Sequence, residues 1–299
     1  MSASHHHKGM HYGPAFGVGI VLNLAFVVVE FWYGRSARSM ALVADAGHNL
    51  SDVLALGLAW AAAILSRRIP TSRRTYGMRR TTVLAALINA VVLLFAMGAV
   101  AWESIQRLNA PAAVSERTVI VVAAVGIFIN AISAAFFLAG RSRDLNIKSA
   151  FAHMAADAAV SAGVVVAGFI ILFTRMWWLD PVVSLAIVVV ILVGTWNLLR
   201  DSINLALDAV PEGLNLGTIQ GYLSSLAEVT GVHDLHIWGL STTETALTAH
   251  LVVTEDCDRD RLLRQTENDL HGLHGIEHST LQIESPGCEG CKCRLQATG

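Results

Sequence analysis

Two pairs of residues in this sequence have the types and the spacing that bind metal ions. His48 and Asp52 lie four residues apart in one long apolar stretch, and His153 and Asp157 repeat that spacing in another. Residues i and i+4 share one face of an α-helix, so each pair directs an imidazole and a carboxylate the same way. Two nitrogens and two oxygens are a ligand set that tetrahedral Zn²⁺ accepts. We therefore predict that these four residues form a transition-metal site buried between two membrane helices.

The stretches that carry these pairs belong to a strongly apolar part of the chain. Of 299 residues, 54% are hydrophobic and only 15% are charged, with a mean hydropathy of +0.54, whereas soluble domains have about 25% charged residues. A charged side chain within a membrane costs on the order of 2.5–3.5 kcal/mol, so intramembrane carboxylates need a cation or a pathway to serve. Six segments have the roughly 20 apolar residues that a membrane helix needs: 13–33, 40–66, 82–105, 117–139, 148–173 and 178–199.

The charges of the connecting loops predict the orientation. Basic residues are concentrated after the second and fourth segments, which places those loops and both termini in the cytoplasm under the positive-inside rule. We expect an integral protein of a bacterial inner (plasma) membrane, surrounded by lipid. The net charge of −2 gives no indication of a nucleic-acid partner.

The last hundred residues have the pattern of a small soluble domain. Helical periodicity at 215–228 is followed by strands at 232–240 and 245–253, a helix at 258–272 and a strand at 276–284. This αββαβ order predicts an α+β domain with an open sheet and helices on one face. Its core is modest, so dimerisation would help it. The predicted division is a His-rich arm (1–12), a six-span membrane domain (13–207), a linker (208–214), a cytoplasmic metal-binding and dimerisation domain (215–286) and a Cys-containing tail (287–299).

Several motifs together resemble the cation diffusion facilitator family. They are the run from Ser39 to His48 (SMALVADAGH), the second HxxxD in the fifth segment, and VHDLHIW followed by TAHLVV in the small domain. The resemblance implies homodimeric, proton-coupled exporters of zinc and related metals, with six spans and a metallochaperone-like (ferredoxin-like) cytoplasmic domain. A His and an Asp in both pairs match the zinc-exporting subgroup, and imidazole suits Zn²⁺ better than Mn²⁺.

The resemblance also implies a second metal site in the cytoplasmic domain. It assigns His233, His250 and Glu284 as ligands, with soft thiolates from Cys288 and Cys291 available to complete the site. The alternative is that these cysteines, with Cys293, form a flexible metal-catching tail. Strand alternation places His236 on the same side as Asp234 and opposite to His233, which makes it the less favoured ligand.

Three further assignments are less specific. Asp45 lies near the face of Asp52 and is placed outside the ligand shell, as a supporting group or part of an entry path. His5 and His7 belong to a His run that is either a cytoplasmic metal-capture arm or a fragment of a purification tag. Arg80 and Asp208 resemble the family's charge interlock near the linker.

The function that these features favour is proton-coupled efflux of Zn²⁺, with Cd²⁺ and Co²⁺ open as further substrates and with regulation by Zn²⁺ bound to the cytoplasmic domain. Protons compete with metal for histidine near neutral pH, as an antiporter requires. A membrane metal sensor is the alternative. An intramembrane metal-dependent hydrolase is less favoured, because four protein ligands leave no open position for water and no HExxH motif occurs. We expect no enzyme activity.

Overall fold

The computed structural model describes residues 14–66, 68–138 and 145–286. Each predicted apolar segment corresponds to one long helix: α1 (Pro14–Ser36), α2 (Met40–Ser66), α3 (Thr81–Asn109), α4 (Glu116–Leu138), α5 (Leu145–Thr174) and α6 (Leu179–Ala206). Within the described residues, three helical segments are long and apolar enough to cross a membrane: Thr81–Asn109, Met154–Thr174 and Leu179–Ala206. A helical membrane domain is thus followed by a small α+β domain, as predicted, while the count of six spans stays a prediction.

Among the described residues, those from 14 to 57 and those between 89 and 196 form one compact unit, and its helices are held together by small and branched apolar side chains. The buried cluster includes Leu42 on α2, Met97 on α3 and Val164 on α5. On α4, Gly126 allows a close approach, since a Cβ there would lie 3.0 Å from Phe26 Cζ on α1. Small residues at such contacts are typical of helices packed within membranes.

The start of α2 is fixed by a residue of α6. Ser39 Oγ accepts the N–H of Leu42 at 3.2 Å, which makes Ser39 the N-cap. The same hydroxyl donates to Asp180, and the N–H of Met40 donates to Asp180 Oδ2 at 2.6 Å. Ser39, Met40 and Asp180 are all buried. A carboxylate at a helix N-terminus also has a favourable interaction with the helix dipole, so this contact positions the helix that carries His48.

The second compact unit contains the described residues between 58 and 88 and from 197 to 286, and the small domain lies within it. Its elements are α7 (Leu216–Ser224), β1 (Val229–Gly239), β2 (Thr245–Val253), α8 (Arg259–His274) and β3 (His278–Glu284). The strand order is β1-β2-β3, with β2 antiparallel to β1 and parallel to β3. Side chains of both helices share one core with one face of the sheet, namely Ile219, Leu223, Leu247, Leu251, Leu262 and Leu270.

Two details of the small domain differ from the prediction. The helix predicted to reach residue 228 ends at Ser224, because β1 extends back to Val229 to pair with Val253 of β2. The register then shifts between His233 and His236, with Asp234 in the left-handed region at φ 51°. This β-bulge puts an extra residue in β1. The prediction that His236 faces away from His233 is therefore wrong.

The connection between α2 and α3 contacts the β1–β2 turn. The Arg79 Nη1 atom lies 3.0 Å from Glu244 Oε2, and the N–H of Thr242 donates to Thr82 Oγ1 at 3.1 Å. The predicted partners Arg80 and Asp208 form an ion pair, with both side chains about half exposed (48% and 56%). Residues 79–82 and the β1–β2 turn are thus joined by contacts within one compact unit.

Candidate metal sites

Three of the four predicted membrane ligands come together in the structure. His48 Nε2 lies 3.2 Å from Asp157 Oδ1 and 3.9 Å from Asp52 Oδ2. One ligand atom from each of these residues lies within 4.8 Å of the other two. We call His48, Asp52 and Asp157 the membrane cluster. Donor atoms about 2.0–2.2 Å from a tetrahedral Zn²⁺ lie roughly 3.3–3.6 Å apart, so small side-chain movements would let these atoms share one ion.

The helices explain why these side chains converge. His48 and Asp52 are one turn apart on α2, and Asp157 reaches them from α5. Asp157 is almost fully buried, with 4% of its side chain exposed, whereas His48 and Asp52 are 19% and 29% exposed. The structure places His153 on α5, four residues before Asp157, and does not describe its side chain. The cluster is therefore shielded at one carboxylate and more open at the other.

Asp45 lies outside the membrane cluster and has its own buried surroundings. Ser161 Oγ donates to Asp45 Oδ2 at 2.9 Å, and both residues are fully buried. Close to Asp45 is Glu30 of α1, which is also fully buried and was not singled out from the sequence. The sequence could have identified Glu30, because it is the one acidic residue between 14 and 36 and a charged side chain is costly within a membrane segment.

A second group of residues that are able to bind a metal ion lies on the face of the sheet opposite to the helices. Glu284 Oε2 lies 3.0 Å from His233 Nε2, and Glu284 Oε1 lies 2.8 Å from His250 Nδ1. We call these three residues the sheet cluster; their ligand atoms lie within 4.8 Å of one another. The pairing of His233 with His250 across β1 and β2 brings the two rings to a centroid distance of 5.0 Å.

The electrostatics of the sheet cluster favour a charged carboxylate. Burial raises the pKa of Glu284, but the hydrogen bonds and charges of His233 and His250 outweigh it and hold the pKa below its ordinary value. Asp234 adds a second carboxylate, because the bulge brings its Oδ2 to 3.6 Å from His250 Nε2. Its Oδ1 lies 3.1 Å from Nε2 of His236. Sequence alternation missed Asp234 as a neighbour of the cluster, since only the bulge makes that contact.

The remaining predicted ligands lie outside the described residues. They are His5 and His7 in the N-terminal arm and Cys288, Cys291 and Cys293 in the C-terminal tail.

Comparison with known families gives two matches that together cover most of the chain. The cation efflux transmembrane domain matches residues 17–205. The cytoplasmic domain of cation efflux proteins matches residues 211–286. The first match ends near the end of α6 and the second contains the whole small domain, so the two families divide the chain where the fold changes.

Curated relatives resemble the chain over nearly its whole length. The zinc transporter ZitB of Escherichia coli (strain K12) is 34% identical over 99% of this chain and 96% of its own. The metal cation efflux system protein CzcD of Cupriavidus metallidurans is 32% identical over 96% and 90%. A cadmium, cobalt and zinc/H(+)-K(+) antiporter of Bacillus subtilis (strain 168) is 29% identical over 90% and 88%. The chain therefore belongs to the cation diffusion facilitator family of cation efflux proteins, as an integral membrane metal transporter and not an enzyme.

Proposed function

We propose that this protein exports Zn²⁺ from the cytoplasm in exchange for protons, through a site formed by His48, Asp52, His153 and Asp157. The observation that carries this proposal is the membrane cluster, in which an imidazole and two carboxylates from α2 and α5 lie within 4.8 Å of one another. His153 stands one helical turn before Asp157 and supplies the fourth ligand. Zinc is the favoured substrate because imidazole and carboxylate suit it and because the relatives include named zinc transporters.

Proton exchange follows from the chemistry of the ligands. A histidine binds metal only in its neutral form, so a proton on His48 and a metal ion in the cluster exclude each other. The 3.2 Å contact to Asp157 gives the imidazole a carboxylate partner in the metal-free state. Zinc that arrives from the cytoplasm displaces the proton, and a proton that arrives from the outside displaces zinc. Metal and protons would thus move in opposite directions.

The sheet cluster is the proposed regulatory site. His233, His250 and Glu284 bind cytoplasmic Zn²⁺, and Cys288 and Cys291 follow β3 closely enough in sequence to contribute. Glu284 is ionised at neutral pH and can bind a cation, and its lowered pKa extends that charge to more acidic conditions. In the proposed assembly the small domain joins two copies of the chain, so metal there stabilises the homodimer and favours a transport-competent state. Both termini are cytoplasmic in this arrangement.

Transport in reconstituted vesicles tests the proposal directly. Purified protein in liposomes with an internal zinc indicator should accumulate Zn²⁺ when the lumen is made acidic, and Asp157→Ala should abolish this flux. Asp201→Ala is the matched control, because it removes a carboxylate from the far end of α6 and leaves the cluster intact. Cd²⁺ and Co²⁺ tested in the same vesicles define the selectivity.

Two outcomes would contradict the proposal. Zinc binding with no flux under any pH gradient would indicate a membrane metal sensor. Flux that persists in Asp157→Ala would show that the membrane cluster is not the transport site. The regulatory role is tested separately with His250→Ala, which should reduce the dependence of the transport rate on cytoplasmic zinc; an unchanged dependence would refute that role alone.

A further inference from the structure

Two buried carboxyl groups in the first compact unit have no role in the mechanism above. Glu30 on α1 and Asp45 on α2 are both fully buried. The amide of Asn49 donates to Glu30 Oε2 at 3.0 Å, and the hydroxyl of Ser161 donates to Asp45 Oδ2 at 2.9 Å. One oxygen of each carboxyl group thus has a hydrogen-bond donor.

The second oxygen of each carboxyl group has no such donor among the described residues. Among the described residues, Glu30 Oε1 and Asp45 Oδ1 are buried and have no hydrogen-bond partner. Asn49, the donor to Glu30, lies one helical turn after Asp45 on α2, so the two carboxyl groups lie beside the same part of that helix and their charges interact. Two ionised carboxylates that lie side by side repel strongly where water is excluded, and a single proton between them replaces that repulsion with a hydrogen bond.

A proton fits this pair better than a metal ion does. Ca²⁺ takes six to eight oxygen ligands and Mg²⁺ requires six, whereas only two carboxyl oxygens of this pair remain without donors. The donors of Asn49 and Ser161 already occupy the other two oxygens. We propose that Glu30 and Asp45 share one proton and form a proton-binding site of the exporter, separate from its metal ligands. This inference rests on the proposed function.

The position of the pair explains how it would sense metal. Asp45 precedes His48 by three residues on α2, and Ser161 follows Asp157 by four residues on α5, so both helices connect the pair to the membrane cluster. Among the described side chains, the charged groups that interact with the pair are His48 and Asp157, both through Asp45. Helix α4 packs against both α1 and α5, and its sequence has no titratable residue from 118 to 138.

Binding of the two ions is therefore antagonistic. A divalent cation one helical turn away disfavours the shared proton, since positive charges repel in a medium of low polarity. When zinc enters, the pair releases its proton; when the pair takes up a proton, zinc binds more weakly by the same factor. The pair would add its proton to any that the imidazoles exchange.

Proton release on zinc binding measures this coupling. Calorimetric titration of the purified full-length protein with Zn²⁺, in two buffers of different ionisation enthalpy, gives the number of protons released per metal. Glu30→Gln should reduce that number by about one while zinc binding remains measurable, and Asp201→Asn should leave it unchanged. In vesicles, a one-unit pH gradient supplies about a tenfold driving ratio per exchanged proton, so Glu30→Gln should respond less steeply than the wild type.

Infrared difference spectroscopy tests the wild-type protein without any substitution. Addition of Zn²⁺ should remove the C=O stretching band of a protonated, deuterium-sensitive carboxylic acid. An unchanged proton count in Glu30→Gln, or no such band in the wild type, would overturn the inference even if pH-driven transport is intact. Loss of the band on addition of K⁺ alone would overturn it too, since a cation would then be the occupant. Absence of any pH-driven flux in the wild type would instead refute the proposed function.

Discussion

The contact of Asp180 with the start of α2 allows a quantitative prediction. Asp180→Ala removes the acceptor for the Ser39 hydroxyl and for the N–H of Met40, both of which are buried. A buried donor that loses its partner costs about 1–3 kcal/mol, and hydrogen bonds to a charged group lie at the upper end of the usual range. Since relaxation recovers part of the cost of two such donors, we expect Asp180→Ala to lower the free energy of unfolding by about 3 kcal/mol.

The assay is reversible unfolding of the full-length protein in mixed micelles, with wild type and variants compared at one protein-to-detergent ratio. Asp180→Asn keeps one acceptor oxygen and loses the charge, so it should cost about 1 kcal/mol. Asp201→Ala, on the same helix, should stay within about 0.5 kcal/mol of the wild type. The order of the three variants therefore tests the hydrogen bonds themselves.

One result would refute this reasoning. If Asp180→Ala and Asp201→Ala were equally stable, the buried donors of α2 would have found other partners and the carboxylate would have no capping role. If Asp180→Ala and Asp180→Asn lowered the free energy of unfolding equally, the negative charge of Asp180 would be its main contribution to stability.

Three further predictions concern the second compact unit. Because the pKa of Glu284 lies below its ordinary value of 4.5, this carboxylate stabilises the small domain at neutral pH. That contribution is lost as the pH falls from about 4.5 through the lowered pKa of the folded state. The free energies of unfolding in urea of wild type and Glu284→Gln should therefore differ at pH 7 and converge in acid. A double-mutant cycle on Arg80 and Asp208, which are about half exposed, should give a coupling of no more than about 1 kcal/mol, and a value above twice that would contradict their exposure. Gly77→Ala should destabilise by about 1–2 kcal/mol because φ is +72° there, whereas the exposed helical Gly272→Ala should be neutral or stabilising in the same thermal-unfolding assay.

Much of the fold follows from local sequence patterns. The length of the apolar segments predicted the position of each long helix, because a helix that crosses a membrane needs about 20 apolar residues whatever the rest of the chain contains. Alternation in TALTAHLVV located β2, and in the structure its Leu247 and Leu251 lie in the core of the small domain. The HxxxD spacing identified residues that meet in the membrane cluster, since one helical turn fixes their common face.

The local sequence patterns did not predict three features, because each depends on a residue that is distant in the sequence. Asp180 caps a helix that begins 140 residues earlier, and no local rule predicts such a contact. The bulge at Asp234 appears only when β1 pairs with β2, and it changes which side His236 faces. The early end of α7 has the same origin, because pairing of Val229 with Val253 outweighs the helical periodicity before it.

The contacts between residues 79–82 and the β1–β2 turn have a mechanical consequence. Thr82 lies in the first turn of α3, and this helix continues without a break for 29 residues, about 43 Å at 1.5 Å per residue. An α-helix of that length is stiff, and the hydrogen bond from Thr242 to Thr82 attaches the β1–β2 turn to its first turn. A ligand bound to the sheet would therefore have a connection to the first turn of α3 that does not pass through residues 208–214.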